Sequence, residues 1–224
     1  MGQCCRFFNS SIGLKITMAL TGMLLCGFLL IHMLGNLLIL FSPEAYNLYS
    51  FNLTSNKIFL YTAEVGLLGL TLLHILVAIK LSIHNRRSRP ERYQYKKNTS
   101  LSRRSWYSSN MIITGGIILY FIVTHLLEFR FGEEIMTEQK SVPMRDIAAS
   151  VIGEFQDLED VIFYIVAITL LMLHILHGLR SAFASLGLEY PRYEKSFHVL
   201  SRLFVFGVSA GFIVIPIWIY FVGV

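Results

Sequence analysis

Charge is scarce in this sequence. Asp, Glu, Lys and Arg make up 15% of its 224 residues, against roughly 25% in a soluble domain. Hydrophobic residues make up 54%, and the mean hydropathy is +0.59. A soluble globular domain is excluded, and a polytopic membrane protein is the natural class. Cysteine is also scarce: Cys4, Cys5 and Cys26 are the only three. Cys4 and Cys5 are neighbours and cannot readily bridge each other, so free thiols at a reducing face are expected. A secretory signal peptide is not expected, because the first apolar run is too long and no small-residue cleavage site precedes more polar chain. No low-complexity tract or internal repeat stands out. So little chain lies between the apolar runs that no soluble catalytic domain has room there.

What is present is five hydrophobic runs, at about 12–41, 58–83, 106–129, 161–186 and 199–224. Each reaches or exceeds the roughly 20 residues that cross a ~30 Å hydrocarbon core. The expected fold is an all-α membrane bundle of five transmembrane helices, a single domain over 1–224. The net charge of +5 does not point to nucleic acid, because the basic residues cluster between the apolar runs, where they report topology. The second connection carries Arg86, Arg87, Arg89, Arg92, Lys96, Lys97, Arg103 and Arg104. The fourth carries Arg192 and Lys195, and the N-terminus Arg6 and Lys15. The first has only Lys57, and the third is acidic, from Glu133 to Asp160. Lys and Arg mark the cytoplasmic side, so the N-terminus is expected inside and the C-terminus outside, in the inner (cytoplasmic) membrane. Within the third connection, residues 141–155 are expected to form a short interfacial helix.

Four histidines, His32, His74, His125 and His174, fall one in each of the first four runs. Imidazole at membrane depth has two nitrogens to satisfy and almost no water to satisfy them. On an outward-going helix, His32 lies about 25 Å beyond Lys15 at 1.5 Å per residue, and His125 has a similar depth. His74 and His174 lie nearer the basic side. The four sort into an outer pair, His32 and His125, and an inner pair, His74 and His174, at heights differing by on the order of 10 Å. Two stacked b-type haems fit this pattern. The sequence has no Cys-x-x-Cys-His, so covalent c-type attachment is excluded. Bis-imidazole ligation leaves iron no open position, which suits electron transfer rather than oxygen binding. His177, one turn from His174, is an alternative ligand. Gly22, Gly27, Gly66, Gly69, Gly115 and Gly116 suit either the approach of a flat macrocycle or close helix packing. Candidates for holding haem propionates are Lys15, Lys80, Arg180 and Arg202 on the inner side and Arg130 on the outer, with Trp106 as an indole donor or an interfacial anchor. Glu64 is the one carboxylate well inside a run, and an intramembrane acid is a functional candidate by default. Quinone protonation is one role for it, and a partnered acid near the interface is the other.

Several stretches resemble the cytochrome b subunit of succinate dehydrogenases and fumarate reductases, in the branch with one five-helix, di-haem anchor. They are Ser10–Lys15 with Met18–Gly22, His32–Asn36 with Glu44–Tyr49, His174–Phe183 with Leu186–Leu188 and Pro191–Tyr193, and Gly211–Pro216. The His-x-x-His-Gly at 174–178 is the most specific. The resemblance implies axial ligands at His32, His74, His125 and His174, with the first histidine of that motif preferred over His177. It implies partners on the cytoplasmic side: an iron–sulfur subunit and an FAD-containing flavoprotein that interconverts succinate and fumarate. Electrons would pass between these and a membrane quinone, which the family suggests is menaquinone. Dimerisation of the whole complex and the direction of the reaction stay open. Where some relatives carry a glutamate two residues before the fourth-helix ligand, this chain has Met172, which argues against a transmembrane proton path of that kind. Two other readings remain: the haem b subunit of a hydrogenase or formate dehydrogenase, and a small transporter with a histidine proton relay.

Overall fold

The computed structural model describes residues 10–87, 110–139, 141–188, 192 and 194–223. Its frame is five long helices: α1 (Ser11–Asn36), α3 (Lys57–Arg87), α4 (Met111–Phe129), α6 (Leu158–Ser185) and α7 (Glu194–Val222). All five are long and apolar enough to cross a membrane. They coincide with the five hydrophobic runs, though α7 begins at Glu194, five residues before the run at 199. The basic second connection lies largely outside the described residues, and Trp106 with it.

Local chemistry sets the helix starts. Ser10 Oγ accepts from the Gly13 amide at 3.0 Å and caps α1. After Asn36 the chain tightens into a 3-10 turn, Leu37–Leu40. Ser42 then caps a further helix, α2 (Pro43–Ser55), its Oγ accepting from Ala45 N at 3.1 Å with proline in the first turn. Ser-Pro-Glu is a strong helix-start signal, yet α2 was not among the expected elements, because a count of apolar runs does not register a polar helix.

The third connection departs from the expected single helix over 141–155. It opens with a hairpin, β1 (Met136–Gln139) against β2 (Val142–Arg145), in the register Gln139↔Val142. Ser141 takes φ +63° in the turn. Pro143 holds its predecessor extended, so the helix starts only after Asp146. There the carboxylate caps α5 (Ile147–Glu154) by accepting from Ala149 N at 2.9 Å.

α2, the hairpin and α5 cover one end of the bundle. Buried Asn47 fastens them: its Nδ2 donates to Asp146 Oδ1 at 2.8 Å, and its Oδ1 accepts from Ala148 N at 2.9 Å. Ile39, Tyr46, Ala148, Val151, Phe155, Val161, Tyr164, Ile215 and Ile219 form an apolar cluster beneath this cap. At the opposite, basic end, Ser11 Oγ meets His84 Nε2 at 2.7 Å, and the Phe183 and Phe197 rings lie 5.2 Å apart.

The helices are unequally buried. α6 packs on α7 and α1, and α1 also packs on α3 and α7. Six or seven residues of α1, α6 and α7 are buried, but only Val77 of α3 and only Thr114 of α4. Large apolar side chains such as Leu24, Val65, Leu76, Ile113 and Leu203 are more than 60% exposed, as expected of surfaces that meet lipid tails. At the α1–α7 crossing, a Cβ on Gly211 would overlap Met33 Sδ, so a larger residue there would displace the Met33 side chain.

Candidate functional site: two histidine pairs

The structure brings together His32 with His125, and separately His74 with His174. These are the pairs expected from depth. The His32 and His125 rings lie 5.9 Å apart, inclined at 84°. Phe28 stacks on His32 at 5.4 Å, one turn away on the same helix, and Phe212 reaches it from α7 at 5.8 Å. Phe121 and Phe129 flank His125 at 5.7 and 5.1 Å. This pair sits toward the capped end among aromatic rings.

His74 and His174 lie deeper toward the basic end, within electrostatic range of each other. His74 Nδ1 lies 3.0 Å from Thr21 Oγ1 of α1. His174 Nδ1 lies 3.2 Å from Thr114 Oγ1 of α4. A Cβ on Gly22 would sit 3.4 Å from His74 Cε1, and one on Gly115 3.6 Å from His174 Cε1. Gly22 and Gly115 thus lie against the inner rings, while Gly27, Gly66, Gly69 and Gly116 have nothing within 4 Å of a built Cβ. His177 is half-buried beside Arg180, and the threonine contact belongs to His174.

Sequence reasoning missed these threonines, and it missed a short repeat. Thr21-Gly22 precedes His32 as Thr114-Gly115 precedes His125, with eleven residues from threonine to histidine in both. Eleven residues are three helical turns, so threonine and histidine share a face about 16 Å apart.

The other polar contacts differ between the pairs. His125 Nδ1 lies 3.2 Å from Tyr164 Oη, whose hydroxyl donates to Glu128 Oε2. The Asn36 amide donates to His32 O at 2.7 Å, and its nitrogen lies 3.3 Å from His32 Nδ1 and 3.5 Å from Nε2. It therefore singles out neither ring nitrogen. Tyr46 Oη completes this corner by donating to Asn36 Oδ1 at 2.8 Å. Glu64 and Arg130 are joined: Arg130 Nε donates to Glu64 Oε1 at 2.6 Å and Nη2 lies 3.4 Å from Oε2. Lys15, Lys80, Arg180 and Arg202 are exposed around the basic end, on α1, α3, α6 and α7. Beyond the capped end's core, the Glu154 carboxyl is pushed up to about 7, first by burial and then by Glu128, Asp160 and Asp157.

Each pair offers two imidazoles, the donor type that holds a b-type haem. His32 and His125 stand close enough, at 5.9 Å between ring centres, for one metal ion to be shared between them. Among the described residues, no group of three or more His, Cys, Asp or Glu is arranged to hold a metal ion, so the donor sets at hand are pairs. Comparison of the chain with family models, with curated proteins and with solved structures finds no match.

Proposed function

We propose that this chain is the di-haem cytochrome b anchor of a succinate:quinone oxidoreductase, acting as a succinate dehydrogenase or fumarate reductase. The observation that supports the reading is the gathering of four histidines, one from each of four spanning helices, into two pairs at different depths, with His32 and His125 in ring contact. His32 and His125 would hold one b-type haem, and His74 and His174 the other. Bound there, the haems would supply one-electron carriers, and two histidine ligands to each iron would leave no place for oxygen.

The protein's share is ligation, orientation and exclusion of water. Phe28, Phe121, Phe129 and Phe212 keep the outer pair dry. The cations Lys15, Lys80, Arg180 and Arg202 suit propionates at the basic end, which would face the cytoplasm and dock the iron–sulfur subunit with its FAD-containing partner. At the other end, the Glu64 carboxylate would exchange protons with a membrane quinone, with Arg130 orienting it through the bond at 2.6 Å.

The test is an absorption spectrum of the full chain purified from native membranes, with haem counted per polypeptide. Two haems per chain are expected, both reducible by succinate when the partners are present. Absence of haem would sink the reading in favour of a histidine-relay transporter. Haem reducible only by hydrogen or formate would reassign the partners. His174→Ala is expected to cost one haem and His177→Ala none, and the reverse would exchange the two assignments.

A further inference from the structure

We infer that Thr21 and Thr114 are a matched pair of positioning residues that hold His74 and His174 in the Nδ1–H tautomer, keeping each Nε2 lone pair available to a metal. Their role as ligands rests on the cytochrome reading above; their tautomer does not.

The argument counts protons. A threonine hydroxyl has one hydrogen and two lone pairs. Thr21 Oγ1 lies 2.9 Å from Thr17 O and 3.1 Å from Met18 O, the back-bonding that threonine adopts inside helices. Thr114 Oγ1 repeats this with Asn110 O at 3.2 Å and Met111 O at 3.1 Å. With the hydroxyl hydrogen turned to its own helix, each oxygen can only accept from the imidazole beside it. Nδ1 must then carry the ring hydrogen at His74 and at His174, at 3.0 and 3.2 Å. The tautomer of a ligating histidine is set by the partner of its other nitrogen.

The repetition makes a chance contact a poor explanation. Both threonines are buried, and Thr114 is the one buried residue of α4. Each is followed by a glycine that lies against the same ring it bonds, and each serves the histidine of the next spanning helix. Thr21 on α1 holds His74 on α3, and Thr114 on α4 holds His174 on α6.

The experiment is nitrogen-15 solid-state NMR of the histidine-labelled full chain in bilayers, prepared from a haem-deficient host, beside haem retention in the loaded protein. Nδ1–H is expected at both histidines. Thr21→Val is expected to release His74 alone, Thr114→Val to release His174 alone, and Thr→Ser to restore each. In the loaded protein each valine variant is expected to weaken retention of the inner haem by about 10- to 100-fold, leaving the outer haem unchanged. Nε2–H at either histidine in the parent chain would overturn the inference, and that reading needs no variant to fold. Valine variants with unaltered tautomer and retention would overturn it as well. Nδ1–H at both sites in a chain that never takes up haem would uphold the tautomer and defeat the cytochrome reading instead.

Discussion

Arg130 at the end of α4 clasps Glu64 of α3 with Nε 2.6 Å from Oε1, joining the two least buried spanning helices. Both side chains are about 40% exposed, so the pair is worth only about 0–1 kcal/mol to stability. Glu64→Gln is therefore expected to leave the melting temperature in detergent and the haem content almost unchanged. If Glu64 moves protons for a quinone, the same variant lowers quinone-linked turnover on the order of 10²-fold. Unchanged turnover in Glu64→Gln would leave the clasp as structure alone.

The capped end depends on few polar contacts. Asp146→Ala removes the α5 cap and is expected to cost about 1 kcal/mol. Asn47→Ala strands the Ala148 amide in a buried setting and is expected to cost about 1–3 kcal/mol. Chemical unfolding in a fixed detergent reads both. Limited proteolysis should show the cuts concentrating between Met136 and Phe155, with the spanning helices intact.

Glu154 gives stability a pH slope of unusual sign for a carboxylate. Its ordinary value is 4.5 and its folded value about 7, so the fold favours the protonated form. The contribution is full below about 4.5, is lost as pH rises toward about 7, and stays lost above it. The carboxyl is partly exposed, which makes the slope shallow. Glu154→Gln is expected to flatten it and to raise stability at pH 8 relative to the parent. Thermal melts across pH 4 to 8 that keep the parent slope in the variant would refute this.

At the α1–α7 crossing, Gly211→Val forces a side chain onto Met33, which is 6% exposed. Overpacking of this kind costs about 1–3 kcal/mol. Met33→Ala in the same chain should recover part of the loss, and additive single-variant effects would place the strain elsewhere.

The sequence made the five spans readable because hydrocarbon tolerates so few charges that their boundaries stand out in composition alone. The pairing of His32 with His125 and His74 with His174 was also legible, since helix direction and rise convert position into depth. The polar cap was not. Its helix and hairpin are set by Ser42-Pro43, Pro143 and Asp146, single residues whose influence extends one or two positions. Thr21 and Thr114 were hidden for another reason: a threonine in an apolar run is satisfied by its own helix, and its second partner comes from a helix distant in sequence. Only the spacing to His32 and His125 could have exposed them. Glu128 and Tyr164 join α4 to α6 across 36 residues, a proximity that no periodicity within either helix encodes.

The threonine–histidine contacts also bear on how the chain enters a membrane. Thr21 and His74 belong to the first pair of spanning helices, Thr114 and His174 to the second. The first pair can leave the insertion machinery as a closed hairpin in which the deeper imidazole already has a partner, before the second pair has been synthesised, and the second can follow as a hairpin closed in the same way. Hydrocarbon penalises an unmet polar group by several kcal/mol, so this internal satisfaction lowers the barrier to releasing each half alone. His32 and His125 face each other only across the halves. His74 and His174 likewise lie one in each half, so both histidine pairs require the two hairpins together.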